Sequence, residues 1–381
     1  MSFSPSFARK CAAVAVLALF AGCGPSDGIK EFEQGKAAYE LHDLVKAEKF
    51  FETSLACAPQ DVDRILYLAR VKLERGQLPE AKNLVSRAVA LAGGDTDVKL
   101  LAAQIAWHLK DFAAAANGFA AVANDTSLDA ELRAQGFAGL GVVEWTCENH
   151  DLARIAFMRA ILLDRRNAAA WYHLGMIYRD VFGYLEAACD QFDVFVHLEE
   201  KADLRVQKVQ RTLIPALREA IAQKAAERPG VSRRNSAACA TALAKAEAAL
   251  KKGTFKSARQ LYQEALAADP LSYKAAVGLA KAWEKTDATE TGLRKALENY
   301  KLACALSSSA VPTFLTAGAL AMKLKQYAQA VEIYSRAVAS SPKSLEALDG
   351  LIRALRQVGG KAKIAQAYQV YRDSIPVRKR K

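Results

Sequence analysis

Apolar residues recur along most of the chain at intervals of three and four residues, the spacing of one face of an amphipathic helix. Short polar turns separate these stretches, and Pro59, Pro270 and Pro342 stand where helices are expected to end. The pattern predicts a succession of short helices, each with one apolar face. Since a single helix pair cannot bury such a face alone, neighbouring pairs are expected to stack.

The helical pattern itself repeats, with a period of 34 residues. The clearest copy begins at Ala168, and its characteristic residues are Trp171, Leu174, Gly175, Tyr178 and then Ala187 or Ala188. Two further clear copies begin at Ala134 and Val311. Weaker copies begin at Gly28, Val62, Thr96, Cys239, Tyr273 and Leu345.

This unit resembles the tetratricopeptide repeat, whose first helix carries the pattern W-x2-L-G-x2-Y. The resemblance implies an all-α fold, a right-handed superhelical solenoid of antiparallel helix pairs with about nine repeats in two blocks. Small residues in the middle of the first helix are expected where two backbones approach closely. Large aromatic residues are expected to fill the gaps between them.

The repeat phase breaks once, and this break predicts the domain organisation. About five repeats fill residues 30–198, and about four fill residues 238–376. Residues 199–237 between them predict one long charged helix and a linker rich in Pro, Gly, Ser and Arg. Pro215 is expected to kink that helix unless the helix breaks there.

The first 22 residues are typical of a secretory signal peptide, because two basic residues precede an apolar stretch too short to span a bilayer. The stretch ends in LFAGC, which resembles the lipobox of bacterial lipoproteins, although Phe20 stands where that family usually has leucine. The resemblance implies acylation of Cys23 and a lipidated tether over residues 23–29. The alternative is an ordinary signal peptide with an incidental cysteine.

The residue after this cysteine bears on localisation. Gly24 stands where an inner-membrane retention signal usually has aspartate. In a Gram-negative host, the resemblance therefore implies a protein that is lipid-anchored to the outer membrane and faces the periplasm. Three acyl chains would provide the multiple anchors that stable attachment needs.

Composition narrows the class of protein further. With 52% hydrophobic and 25% charged residues, the 381-residue chain is too apolar for a mainly disordered protein. A mean hydropathy of −0.02 excludes a polytopic membrane protein. Besides Cys11 and Cys23, five cysteines remain at irregular spacing, which predicts small buried residues rather than a disulfide framework or a metal site.

The sequence contains no motif of a zinc protease, a serine hydrolase or a nucleotide-binding loop. Its five histidines lie in different repeats, and none has an acid and a nucleophile at a meaningful spacing. We therefore expect a protein that is not an enzyme and that binds neither a cofactor nor a metal.

In the tetratricopeptide family, partners bind in a groove lined by positions 2, 5, 9, 12 and 13 of each repeat. Carried over by offset, these positions predict a partner-binding strip of Trp107, Trp145, Tyr172, Met176 and Arg179. Aromatic and arginine side chains are typical anchors for a helix or an extended peptide. The alternative is that the tryptophans complete the packing between repeats.

Charge distinguishes the two blocks. Residues 1–198 carry 20 Lys and Arg against 25 Asp and Glu, whereas residues 236–381 carry 24 against 11. The same groove offsets in the second block select the basic residues Lys251, Lys281, Lys285, Lys323, Arg353 and Arg356. These residues, and the basic tail at residues 377–381, either meet an acidic protein or an anionic polymer or are simply solvated.

Together these observations predict a membrane-anchored periplasmic scaffold or adaptor that binds proteins in an envelope assembly. Nucleic acid is not an expected partner, because the predicted compartment disfavours it despite a pI near 9.3. One alternative is a factor resembling pilotins or barrel-assembly lipoproteins, which serves outer-membrane proteins. Another is a recruiter of cell-wall or polysaccharide machinery that acts through the basic second block.

Overall fold

The computed structural model describes residues 28–199 and 204–376, and every regular element in these two ranges is helical. The chain divides into two compact units, Met1–Glu148 and Asn149–Lys381. The predicted block boundaries, which follow the repeat phase, stay predictions.

The first unit is built from seven helices within the described residues. They are α1 (Ile29–Glu40), α2 (Leu44–Cys57), α3 (Val62–Glu74), α4 (Leu78–Ala92), α5 (Thr96–His108), α6 (Phe112–Asn124) and α7 (Ala130–Thr146). In chain order they alternate between first and second helices of the predicted repeats, starting with a first helix.

The second unit continues this alternation. Its helices are α8 (His150–Leu163), α9 (Ala168–Ile177), α10 (Leu185–Leu198), α11 (Leu204–Lys208), α12 (Ile214–Ala226), α13 (Ser236–Lys251), α14 (Phe255–Ala268), α15 (Tyr273–Thr286), α16 (Glu290–Leu306), α17 (Val311–Lys323), α18 (Tyr327–Ser340), α19 (Leu345–Gln357) and α20 (Ala362–Ser374). Only α11 and α12 fall between repeats. The predicted all-α solenoid of repeated helix pairs is confirmed.

One buried alanine marks the same point in the second helix of every repeat. Each of these residues is at most 1% exposed: Ala47, Ala81, Ala115, Ala153, Ala188, Ala258, Ala296, Ala330 and Ala365. A larger side chain at this point would separate the backbones that pack there. The series also selects Ala188 over Ala187, which the sequence left open.

The small residues of the first helices contact aromatic rings of the second helices, as predicted. A Cβ atom added at Gly278 would lie 2.2 Å from the Tyr262 ring, and one at Gly318 would lie 2.5 Å from the Tyr334 ring. Gly175 stands against Phe192 in the same way, at 2.7 Å. These glycines are therefore required by close packing rather than by backbone conformation.

In eight of the nine repeats, the turn between the two helices places one residue in the left-handed region. In the first unit these residues are His42, Gly76, Lys110 and Glu148, with φ between 55° and 74°. In the second unit they are Gly183, Gly253, Lys325 and Gly360, with φ between 56° and 76°. Since a side chain disfavours this conformation, the non-glycine residues carry local strain.

Two π-helical segments absorb irregularities of the sequence. The segment Tyr178–Phe182 follows α9 and accommodates the extra residue of the fifth repeat. The segment Val209–Leu213 immediately precedes α12, so that Pro215 lies in the first turn of that helix. This position explains how the chain stays helical through Pro215, because a proline in a first turn leaves no required N–H unbonded.

The second unit closes on itself, because its last helix, α20, packs against its first helix, α8. Arg154 of α8 lies at this contact and is only 1% exposed. We call the contact between α8 and α20 the closing seam. It joins residues that are about two hundred positions apart in the chain.

Candidate functional site

The two predicted groove tryptophans of the first unit lie on successive first helices. Trp107 lies near the end of α5 and Trp145 near the end of α7, and both are half-buried. The Trp107 indole N–H donates a hydrogen bond of 3.1 Å to the hydroxyl of Thr146, the residue after Trp145. The Thr146 hydroxyl in turn donates to the backbone carbonyl of Val142 at 2.8 Å.

This hydrogen bond connects the end of α5 with the end of α7. The hydrogen bond to Thr146 fixes the Trp107 ring without burying it completely. The edge of the Trp107 ring also meets the His108 ring, with 4.7 Å between the ring centroids. Trp107 thus connects two repeats and still presents part of its ring to solvent, and its role as a groove residue stays a prediction.

The same connection occurs between the first two repeats. The Tyr39 hydroxyl donates to the Glu74 carboxylate, which belongs to the next first helix. Burial, together with this hydrogen bond, raises the pKa of Tyr39 above its ordinary range. Position 12 of one repeat thus bonds to position 13 of the next, as Trp107 does with Thr146.

In the second unit, the predicted groove residues Tyr172, Met176 and Arg179 are half-buried. The Tyr172 ring packs against the rings of Phe195 and His173, at centroid distances of 5.2 and 5.3 Å. Arg179 forms a two-pronged ion pair with the adjacent Asp180, at 2.5 and 2.8 Å. Its charge is therefore already neutralised within the chain. These three residues belong to a different compact unit from Trp107 and Trp145, so the structure does not show one continuous strip.

The six predicted basic residues are all exposed, and they lie on the first helices α13, α15, α17 and α19. They are Lys251, Lys281, Lys285, Lys323, Arg353 and Arg356. Within residues 28–199 and 204–376, none of them has a carboxylate within 4.0 Å. The two arginines instead donate to neutral oxygens, such as the Gln369 side chain, which accepts from Arg356 at 3.3 Å.

Two acids on these first helices are engaged by other groups. Glu284 accepts a hydrogen bond of 2.6 Å from the Tyr300 hydroxyl. Asp349 pairs with Arg372 at 3.0 Å. These contacts leave the surface with a net positive charge, which favours an anionic partner. We call Lys251, Lys285 and Lys323 the lysine row, because they occupy position 13 of three successive repeats.

A buried polar cluster at the closing seam was not predicted. The Arg154 guanidinium lies 4.3 Å from the centroid of the Phe182 ring and 5.4 Å from that of Tyr368. It donates to Asp151 at 2.8 Å, and Lys361 approaches the other Asp151 oxygen at 3.8 Å. The sequence offers one signal of this cluster, because Arg154 stands on an otherwise apolar helix face. It does not indicate that the Tyr368 ring of α20 lies beside Arg154, because that ring comes from a distant segment.

Several buried atoms in this cluster have no hydrogen-bond partner among the described residues. They are Nε and Nη1 of Arg154 and the hydroxyls of Tyr178 and Tyr368. Burial raises the pKa of the Tyr178 hydroxyl to about 12. Within the described ranges the cluster contains no group of His, Cys, Asp and Glu side chains that could hold a metal ion.

The cysteines of the described ranges are all free thiols. Cys189, Cys239 and Cys304 are buried, as expected, whereas Cys57 is half-buried and Cys147 is exposed. Burial raises the pKa of the Cys189 thiol to about 11 and that of Cys304 to about 12. The expectation of uniformly buried cysteines was therefore wrong for Cys147, which lies in the exposed turn after α7.

Several predictions fall on residues that the structure does not describe. Cys23, the signal peptide at residues 1–22, all but the end of the tether and the basic tail at 377–381 lie outside the described residues. Among the helices that are described, none combines the length and the apolar character needed to cross a membrane.

The repeated helix pairs define a class of helical repeat proteins in which each repeat packs mainly on its neighbours. Models of the tetratricopeptide repeat match residues 38–105, 243–301 and 311–344. The chain therefore contains tetratricopeptide repeats. Proteins built from these repeats generally act as scaffolds for protein–protein interaction and are typically not catalytic.

Solved structures share the repeat architecture at low identity. A tetratricopeptide protein of Thermus thermophilus is 18% identical, with a TM-score of 0.44, over 50% of this chain and 99% of its own. PilF of Pseudomonas aeruginosa is 16% identical, with a TM-score of 0.41, over 53% and 93%. The Cut9–Hcn1 hetero-tetramer of the APC/C is 16% identical, with a TM-score of 0.37, over 92% and 80%. No curated protein matches this chain.

Proposed function

We propose that this protein is a lipid-anchored periplasmic scaffold that binds a protein partner on the inner face of its first unit, without catalysing a reaction. The observation that carries the proposal is the pair of half-buried tryptophans, Trp107 and Trp145, on successive first helices. Tryptophan is enriched among the residues that contribute most to protein–protein binding.

The geometry around Trp107 supports a prepared binding surface. Because the hydrogen bond from Trp107 to Thr146 already fixes the ring, a partner would lose little side-chain entropy by packing on it. Basic and polar side chains stand at position 9 of the earlier repeats, where Lys36, Arg70 and Gln104 supply a polar rim. Such a surface suits an amphipathic helix or an extended peptide.

The membrane and envelope part of the proposal is supported by the sequence alone. It rests on the resemblance of LFAGC to a lipobox and on Gly24 after the cysteine. Within this proposal, a partner that is an outer-membrane channel or barrel would make the protein an assembly factor of the pilotin or barrel-assembly kind.

A second candidate function is recruitment of an anionic cell-wall polymer or of the machinery that handles it. The specific observation in its favour is the lysine row, whose three ammonium groups have no carboxylate within 4.0 Å in the part of the chain that the structure describes. Binding through exposed lysines weakens steeply with salt, whereas packing on tryptophan does not.

The test is a crosslinked pull-down from native membranes with the full chain. Four proteins are compared: wild type, Cys23→Ser, the double variant Trp107→Ala/Trp145→Ala, and Trp283→Phe as a matched control outside the groove positions. Trp283 is a suitable control because it packs under Arg259 and Lys295 in the second unit, at 4.1 and 4.6 Å.

We expect the Cys23→Ser variant to leave the membrane fraction. The tryptophan double variant should stay there but lose at least 30-fold in partner capture, the effect of removing one strong anchor of about 2 kcal/mol. Helicity should be unchanged. Retained capture would overturn the proposal, and a collapse of helicity would show that the tryptophans belong to the core.

The second candidate is tested in the same material with Lys251→Gln/Lys285→Gln/Lys323→Gln. Its control removes the same charge from second helices, as Lys256→Gln/Lys301→Gln/Lys363→Gln. Recruitment of polymer predicts that only the first triple variant loses capture and that high salt releases the wild-type complex. Equal behaviour of the two triple variants would exclude the lysine row as the contact.

A further inference from the structure

The closing seam of the second unit contains an apolar cavity of about 270 Å³. Its floor is formed by the buried side chains of Met158, Leu174 and Tyr371, which are 1–2% exposed. Half-buried Ile161 and Leu162 of α8 form a side wall. The cavity lies between α8, α9 and α10 on one side and the turn after α18 and Tyr371 of α20 on the other, so the contact between α8 and α20 completes it.

Hydrogen bonds hold the edge of this cavity in place. The Trp171 indole N–H donates to the backbone carbonyl of Arg165 at 2.9 Å. On the opposite side, the Tyr371 hydroxyl donates to the backbone carbonyl of Pro342 at 3.1 Å. At the same closing seam, the Arg154 guanidinium of α8 packs over the Tyr368 ring of α20. The cavity is therefore framed by fixed groups and does not depend on a mobile loop.

Charge at the cavity has one sign. Arg165 and Lys343 are exposed residues of its lining, and the described lining contains no carboxylate. The lining is mainly apolar, and its buried amide, Gln191, already donates to the Ala187 carbonyl. Such an interior with two cations at the edge is complementary to a molecule with an apolar chain and an anionic end.

We propose that this cavity binds the aliphatic chain of a single-chain anionic amphiphile, with the anionic head group at Arg165 and Lys343. The volume sets the length of chain. An engineered apolar cavity of about 150 Å³ takes benzene, so a cavity of this size takes a chain of roughly ten carbons. This site is separate from the inner face of the first unit, and the proposal does not depend on the scaffold function.

Calorimetric titration of the full chain with carboxylates of increasing length tests the proposal. From butanoate to decanoate, affinity should rise about fourfold for each added CH₂ group, the factor that corresponds to burying one such group. Beyond roughly ten carbons it should level off, because the cavity is then full. An affinity that keeps rising with length would indicate adsorption to an open surface and would overturn the proposal.

Two variants distinguish binding of the ligand's aliphatic chain from binding of its anionic head group. Ile161→Trp should fill the cavity and abolish binding of decanoate and decanol alike. Arg165→Gln/Lys343→Gln changes exposed residues only and should lower decanoate affinity three- to tenfold while leaving decanol unaffected. The matched control Arg166→Gln/Lys363→Gln removes the same charge from exposed residues outside the lining and should change neither.

The two natural sources of such an amphiphile are a free fatty acid and a membrane lysophospholipid. Decanoate represents the first source, and a decanoyl lysophosphatidylglycerol below its micelle concentration represents the second. Binding of either probe with loss in Ile161→Trp supports the site, and their relative affinities assign the source. If neither probe binds, or if Ile161→Trp binds as well as wild type, the proposal is wrong.

Discussion

Position 13 of the repeat differs between the first unit and three repeats of the second unit. In the first unit it is occupied by Glu40, Glu74, His108 and Thr146, whereas in the second the lysine row occupies it in three successive repeats. Glu74 and Thr146 accept hydrogen bonds from the preceding repeat, through Tyr39 and Trp107. The lysines make no ion pair within the described residues. The same repeat position therefore connects neighbouring repeats in one unit and presents charge to solvent in the other.

This difference shows how one repeat architecture separates stability from recognition. The buried alanines and the glycine–aromatic contacts occur in both units, so the scaffold is common to them. The exposed ends of the first helices are free to vary, because they contribute little to the apolar core. The second unit adds a further feature, the closing seam with its buried Arg154. Three experiments distinguish the two units.

The largest expected effect comes from Arg154→Ala. This change empties a site that is 1% exposed and removes the ring contacts with Phe182 and Tyr368. We expect a loss of about 3 kcal/mol in the free energy of unfolding of the second unit, as for other large-to-small changes in a core.

The control for Arg154→Ala is Lys82→Ala, the residue at the same repeat position in the first unit, which is exposed. It should change stability by less than about 0.5 kcal/mol. Hydrogen exchange followed by peptide mass spectrometry assigns the loss. Faster exchange confined to α8 and α20 is the expected result. Equal effects of the two substitutions would contradict a special role for the closing seam.

The next effect is a selective loss of stability in alkali. Burial raises the pKa of Tyr178 from 10.0 to about 12, so the folded chain keeps a proton that the unfolded chain releases. Its contribution is complete below pH 10 and is lost as pH rises toward 12, at about 1.4 kcal/mol per pH unit. The raised pKa values of Cys189 and Cys304 act in the same direction and in the same unit. In the first unit the raised pKa of Tyr39 also acts in this direction, so the two units differ in the size of the loss.

Tryptophan fluorescence distinguishes the units in this experiment, because each contains two tryptophans. In the Trp171→Phe/Trp283→Phe variant, the remaining tryptophans report unfolding of the first unit. In the Trp107→Phe/Trp145→Phe variant, they report unfolding of the second unit. Urea titrations between pH 8 and 11.5 should show the steeper loss of stability in the second unit. A Tyr178→Phe change should reduce that slope, and parallel losses in both units would refute the assignment.

The smallest effect concerns the left-handed turn residues, three of which are not glycine in the first unit. Lys110 has a φ of 63°, so Lys110→Gly should stabilise the first unit by about 0.5–1 kcal/mol, the strain relieved less the entropy that glycine loses. Gly253→Ala, at a φ of 75° with open space around it, should destabilise the second unit by about 1 kcal/mol. Chemical denaturation measures both changes, and a destabilised Lys110→Gly variant would show that the lysine side chain contributes more than its backbone strain costs.

Much of the fold follows from local pattern. The spacing of apolar residues, the alanine of the second helix and the glycines opposite aromatic rings recur every 34 residues, so repetition amplifies a weak signal. Lys251, Lys285 and Lys323 could be selected as exposed basic residues for the same reason. The repeat offset predicts Trp107 as a groove residue, but its hydrogen bond to Thr146 depends on how two helices pack.

The sequence by itself determined the repeated helix pairs, because each repeat is stabilised mainly by itself and its neighbours in the chain. It also determined that lysine recurs at position 13 in three successive repeats of the second unit. Only the tertiary structure decided that α20 returns to α8, that Arg154 is buried there and that an apolar cavity remains beside it. Contacts between such distant helices produce no periodic pattern in the sequence, because they depend on the geometry of every repeat between them.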